Sequence, residues 1–138
     1  MKRFLLAFLV CLLAISAKSE IHTYMGTSYA IAKVSRYGNY SWSDWYSCDV
    51  MIVFDTDRLL VGIDSYEPQV YRIYNYSGYK FDQKGGYQAI FDVIDKDGDY
   101  GQMRIRVTTD AYGNITNSQL YIDFKNVAWV YNIREILF

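Results

Sequence analysis

Apolar and polar residues alternate with period two along much of this chain, and turn residues interrupt the alternation about every ten positions. From Arg58 to Asp64, Leu59, Val61 and Ile63 fall on one face. From Gln102 to Thr108 the alternation is unbroken, giving Met103, Ile105 and Val107 to a core and Arg104 and Arg106 to water. From Gln119 to Phe124, Leu120, Ile122 and Phe124 point inward, Tyr121 and Asp123 outward. Three further runs, Cys48 to Phe54, Tyr87 to Ile94 and Val127 to Ile133, are apolar on both faces and read as central or covered strands.

Turn signals separate these runs. They are Tyr37-Gly38-Asn39, Asp55-Thr56-Asp57, Glu67-Pro68, Asn75-Tyr76-Ser77-Gly78, Lys84-Gly85-Gly86, Asp97-Gly98 and Tyr112-Gly113-Asn114. An Asp-Gly pair between alternating strands supplies the positive φ of a tight hairpin. The pattern predicts an all-β domain of about eight to nine strands, either a small antiparallel barrel or a sandwich, with no amphipathic helix. A barrel in up-and-down order is favoured, because closure removes the exposed edges that are a liability for so aromatic a sheet.

The first 19 residues interrupt this pattern. Lys2 and Arg3 precede an apolar run from Phe4 to Ile15, and Ala17-Lys18-Ser19 has the small-x-small form of a cleavage site. This reads as a secretory signal peptide, residues 1–19, followed by a single β domain, residues 20–138. Retention as an N-terminal anchor is the competing reading. The apolar run is short of the roughly 20 residues that span a bilayer, so no membrane span is expected after cleavage. Cys11 sits mid-core and preceded by Val10, which argues against a lipid anchor.

The chain has 138 residues, 51% hydrophobic and 18% aromatic, with 14 Lys+Arg and 15 Asp+Glu. Three of the 14, Lys2, Arg3 and Lys18, belong to the leader, which leaves 11 against 15 and a net charge of −4. That balance excludes disorder and disfavours nucleic acid as a partner. With Cys11 gone, Cys48 is alone and no internal disulfide is available.

Trp45-Tyr46-Ser47-Cys48-Asp49-Val50, Gln69-Val70-Tyr71 and Trp129-Val130-Tyr131-Asn132 resemble segments of a group of small secreted proteins from anaerobic gut bacteria and their phages. That group has no established activity, so the resemblance implies no site residues. The strand pattern is also similar to lipocalin-like and avidin-like barrels, although the Gly-x-Trp of a lipocalin first strand is missing. This second likeness implies a ligand-binding barrel by fold analogy alone.

Catalytic chemistry is sparse. His22, the one histidine, stands near the predicted mature N-terminus and reads as a solvated terminal residue. Cys48 opens an apolar strand and reads as a buried, inert thiol. One His and one Cys do not make a zinc site, and no nucleophile elbow or phosphate loop is present. Asp95, Asp97 and Asp99 alternate as in a calcium loop, but positions six and twelve are Tyr100 and Arg106 where Gly and Glu are required. They read as a charged hairpin tip, with weak metal binding as the alternative. No catalytic residue, metal or cofactor is expected.

The aromatic load is what distinguishes the sequence, with 15 Tyr and 3 Trp. Tyr40 to Tyr46 contains four aromatics in seven residues, and Tyr71, Tyr74, Tyr76 and Tyr79 line a second predicted hairpin. Aromatic faces beside polar groups suit sugars, peptides and other amphipathic partners. Trp45 and Trp129 adjoin apolar strands and are expected in the core. Trp42, Tyr74, Tyr76 and Tyr79 are the candidate recognition residues.

These observations point to an exported, non-enzymatic binding module for a protein, glycan or small apolar ligand. The alternatives are a structural or inhibitor-type envelope protein without a pocket and, behind it, a hydrolase of unrecognised type. The first two differ in whether the barrel interior is filled. Inward Phe54, Met103, Ile105 and Phe124 would plug a small barrel.

Overall fold

One five-residue turn recurs four times and sets the architecture. It begins with Ser or Asp and carries Gly at its fourth position: 35–39, 82–86, 95–99 and 110–114. The Gly at each fourth position, Gly38, Gly85, Gly98 and Gly113, has φ between 79° and 85°, a region that side-chain-bearing residues avoid. The first side chain caps the turn. Asp95 Oδ1 accepts from the amides of Asp97 and Asp99, both at 2.9 Å, and Asp110 Oδ1 from those of Tyr112 and Asn114 at 2.8 and 2.9 Å. Asp82 Oδ1 and Ser35 Oγ do the same in their turns. Each repeat is thus a self-capped Asx or ST hairpin turn.

The structure is a computed structural model, described over residues 21–82 and 84–136, with backbone alone at 77–79. It is all-β: β1 (Ile21–Val34), β2 (Tyr40–Trp42), β3 (Tyr46–Asp55), β4 (Leu60–Ile63), β5 (Gln69–Phe81), β6 (Gly86–Ile94), β7 (Tyr100–Thr109), β8 (Ile115–Asp123) and β9 (Val127–Ile136). From β3 to β9 each strand pairs antiparallel with the next, and β9 returns to pair with β1 from Thr23 to Lys33. The ring is a closed up-and-down barrel, the barrel alternative rather than the sandwich. β2 and β3 share the other edge of β1, as two halves of one interrupted strand. Ser43 spans the break: its amide donates to Ile31 O at 2.8 Å and its Oγ accepts from Ile31 N at 3.0 Å.

The interior is packed through most of its length. Ile52, Val61, Phe91, Val93, Met103, Leu120 and Ile122 are fully buried, with Phe54, Ile105 and Val107 at 1% exposure. Gly26 lies in this wall because nothing larger fits: an added Cβ would stand 2.7 Å from Val50 Cγ2 and 3.3 Å from Tyr131 Cδ1. Just beyond it, β1 slips register between Gly26 and Ser28 against both neighbours. The Cys48 thiol donates to the Gly26 carbonyl at 3.4 Å beside this bulge.

The structure departs from the sequence reading at several residues. Leu59 is 45% exposed, because it occupies the left-handed position (φ 55°) closing the 56–59 turn, one residue before β4. Residues 75–78 are no turn. They lie within β5, which passes through two register shifts, Ile73/Asn75 and Tyr76/Gly78, that leave Tyr74 and Ser77 as the extra residues while Gly78 stays paired with Ile90. His22 is buried at 9% in β1, opposite Phe54, because the strand begins at Ile21 and holds it in the barrel wall. Trp45, at the break between β2 and β3, is 50% exposed and so outside the core. Arg104 and Arg106 do lie on the outer face, but in ion pairs, to Asp123 at 2.9 Å and Asp82 at 2.7 Å. The expected signal peptide, residues 1–19, falls outside the described residues.

Candidate functional site

The strand directions bring four connections to one end of the barrel: 35–39, 64–68, 95–99 and 124–126. At this end the packing stops and a mouth opens. β4 is four residues long and covers β3 only from Ile52 to Asp55, so the wall beside Tyr46–Val50 is formed by β1 on one side alone. The 64–68 loop arches across that gap, tied by the Asp64 amide to Met51 O at 2.9 Å. Behind it is a pocket of about 560 Å³, lined by Tyr29, Ile31, Cys48, Val50, Tyr71, Trp129 and Tyr131, with residues 65–70 and 95–97 at its rim. A second recess of about 410 Å³ shares Tyr71, Asp95 and Trp129 with it and adds Tyr100 and Phe124.

Alternation explains which side chains reach the mouth. Beyond the bulge the inward set of β1 changes parity, so Tyr29 and Ile31 follow Tyr24 and Gly26. They stand opposite Tyr131 and Trp129 of β9. The Tyr29 ring lies 6.0 Å from that of Tyr131 and 5.5 Å from that of Tyr46. Phe124 packs edge-on to Trp129 at 6.4 Å and against Tyr71 at 5.9 Å. It also covers Gly101, where an added Cβ would meet the Phe124 ring at 2.7 Å.

Polar groups within this aromatic lining form a directed chain. The Tyr71 hydroxyl donates to Gln69 Oε1. Gln69 Nε2 donates to the Tyr131 hydroxyl at 3.3 Å and to Ser65 Oγ at 3.2 Å. Ser65 in turn donates to Glu67 O at 2.6 Å, which fixes the loop. The Tyr131 hydroxyl hydrogen has no acceptor among the described residues. Burial raises the pKa of both phenols, at Tyr71 reinforced by Tyr131 and by the Asp95 charge. The Cys48 thiol is raised by burial and then by Asp49. Burial thus favours the protonated form of all three groups, and the pocket is lined by neutral groups and rings.

Of the four aromatics singled out in the sequence, the three with described side chains do not assemble. Trp42 lies on β2, 43% exposed and stacked on Tyr40 at 5.8 Å. Tyr74 is half exposed on β5, edge-on to Tyr100 at 5.6 Å. Tyr76 stacks on the core ring Phe91 at 5.0 Å. The Tyr79 side chain lies outside the description. Asp95, Asp97 and Asp99 form the tip of one of the four repeated turns, with one Asp95 oxygen engaged by its amides. Among the described residues no three His, Cys, Asp or Glu side chains converge as metal ligands.

The mouth residues Tyr29, Gln69, Tyr71 and Tyr131 were not anticipated as a site. Their signal was the pairing of inward aromatics at strand ends, which needs the register and the bulge to be read. Comparison with protein families, with curated proteins and with solved structures gave no match. The chemistry of the mouth is therefore read from its own residues.

Proposed function

We propose that the protein is an exported, non-enzymatic binding module that holds a small amphipathic molecule in the barrel mouth. The observation that carries this reading is the pocket of about 560 Å³ among Tyr29, Tyr71, Trp129 and Tyr131, where a part-buried donor chain ends in a Tyr131 O–H with no acceptor among the described residues. Ligand sites are of this size, mostly apolar, with a few fixed polar groups that set orientation. Rings supply contact area, and the Tyr131 hydroxyl supplies a hydrogen bond to a ligand oxygen. Export rests on the form of residues 1–19.

The test uses residues 20–138 and indole as a neutral ring probe, followed by NMR. Indole is expected to shift the Trp129 side-chain resonance and to slow alkylation of Cys48 by iodoacetamide, since that thiol lines the same pocket. Replacement of Trp129 by Ala is expected to remove the protection of Cys48. Shifts confined to Trp42 and Trp45, with Cys48 unprotected, would place binding on the outer face and overturn the reading.

A further inference from the structure

The rim of the mouth carries more than shape. Glu67, Asp95 and Asp97 border the pocket, against one ammonium, Lys96. Below them the lining presents Tyr29, Tyr71, Trp129 and Tyr131, whose ring faces carry negative quadrupole density. The acidic field reaches inside: Asp95 acts on the Tyr71 hydroxyl in the same direction as burial does, against ionisation. An anion entering this mouth meets carboxylates and rings and loses its water. A cation meets the same groups as partners, and its desolvation is offset by ring faces and by the rim charge.

We infer that the ligand of the mouth is an organic cation, an ammonium carried on an apolar body, with the charge held between the rings and the acidic rim and a neighbouring oxygen accepting from Tyr131. The inference rests on the mouth being the binding site and adds the charge of its occupant. Methylated ammonium suits the arrangement better than a bare ammonium ion. It spreads its charge over methyl groups that pack against rings and has little water to lose.

The test compares choline with 3,3-dimethylbutan-1-ol, which has the same shape and hydroxyl but a carbon in place of the nitrogen. Both are titrated into residues 20–138 and followed through the Trp129 side-chain resonance at low salt. Choline is expected to bind at least about tenfold more tightly than the alcohol, the range that one or two cation–π contacts give. In the Glu67→Gln/Asp97→Asn double variant, whose changes fall on rim loops, that ratio is expected to fall severalfold. The far-ultraviolet circular dichroism checks that the variant is folded. Equal affinities, or a ratio indifferent to the double substitution, would overturn the cation inference and leave the mouth as a binding site. If neither probe nor indole perturbs Trp129, the mouth reading falls as well.

Discussion

At the scale of single residues, neighbouring positions carry opposite consequences. Gly26 is held to hydrogen by Val50 and Tyr131, so Gly26→Ala drives a methyl group into a packed wall. Overpacking of this kind costs about 1–3 kcal/mol, and chemical denaturation should show a lower midpoint with an unchanged slope. Trp42 and Tyr76 make a sharper contrast, because both stood as recognition candidates on sequence grounds. Trp42→Ala removes a half-exposed ring from the outer face and should change stability by no more than about 0.5 kcal/mol. Tyr76→Ala removes a ring stacked on Phe91 and should lower the melting temperature by many degrees. Equal melting temperatures for the two variants would contradict the packing described. The sequence shows that both are aromatic and near glycine or serine. It does not show that β5 bulges between Ile73 and Asn75, and that bulge sets Tyr76 opposite Phe91 and turns its ring to the core.

At the scale of elements, the repeated turn shows how much was legible and where reading stopped. The glycines were visible as punctuation, and all four closed hairpins with positive φ. The residue that begins each turn was easier to misread, since Asp95 drew attention as one of three alternate carboxylates when its capping role is shared by Ser35, Asp82 and Asp110. The inward faces of β7 and β8 followed from period two alone, because neither strand has an interruption before its end. The mouth did not, because it depends on a short β4 and a bulge in β1, neither of which leaves a compositional mark. Asp82 links a turn to the sheet, and its behaviour with pH is testable. The hydrogen bond from Arg106, with help from the amides of Gly86 and Lys84, holds its pKa at about 2, below the ordinary 3.8. A depressed carboxylate contributes stability that is present above its unfolded pKa and fades as pH falls through the folded one. Stability should therefore drop between about pH 4 and pH 2, and Asp82→Asn should flatten that part of the profile. A slope unaltered in the variant would assign the acid sensitivity to other carboxylates.

At the scale of the whole molecule, the defining contact is the seam between β1 and β9, where Ser28 and Asn132 meet across 104 residues of chain. The alternation made a barrel attractive without fixing this pairing, because closure is a relation between the two outermost strands and belongs to neither segment. Once formed, the seam is an antiparallel ladder like the others, with Thr23 opposite Ile136 at the end away from the mouth. A permuted chain, with a short Gly/Ser linker joining position 136 to position 21 and new termini inside the 35–39 turn, should keep the circular dichroism of the parent. It should also keep the protection of Cys48 by indole; loss of cooperative unfolding would show that the original connection is required. In the permutant the seam becomes a local hairpin, and the long search passes to the contact between β1 and the β2–β3 edge, so the slow step of folding should move with it. The closed meander is in this sense a circle cut once: where the chain starts is a matter of kinetics, and the finished shape holds no record of it.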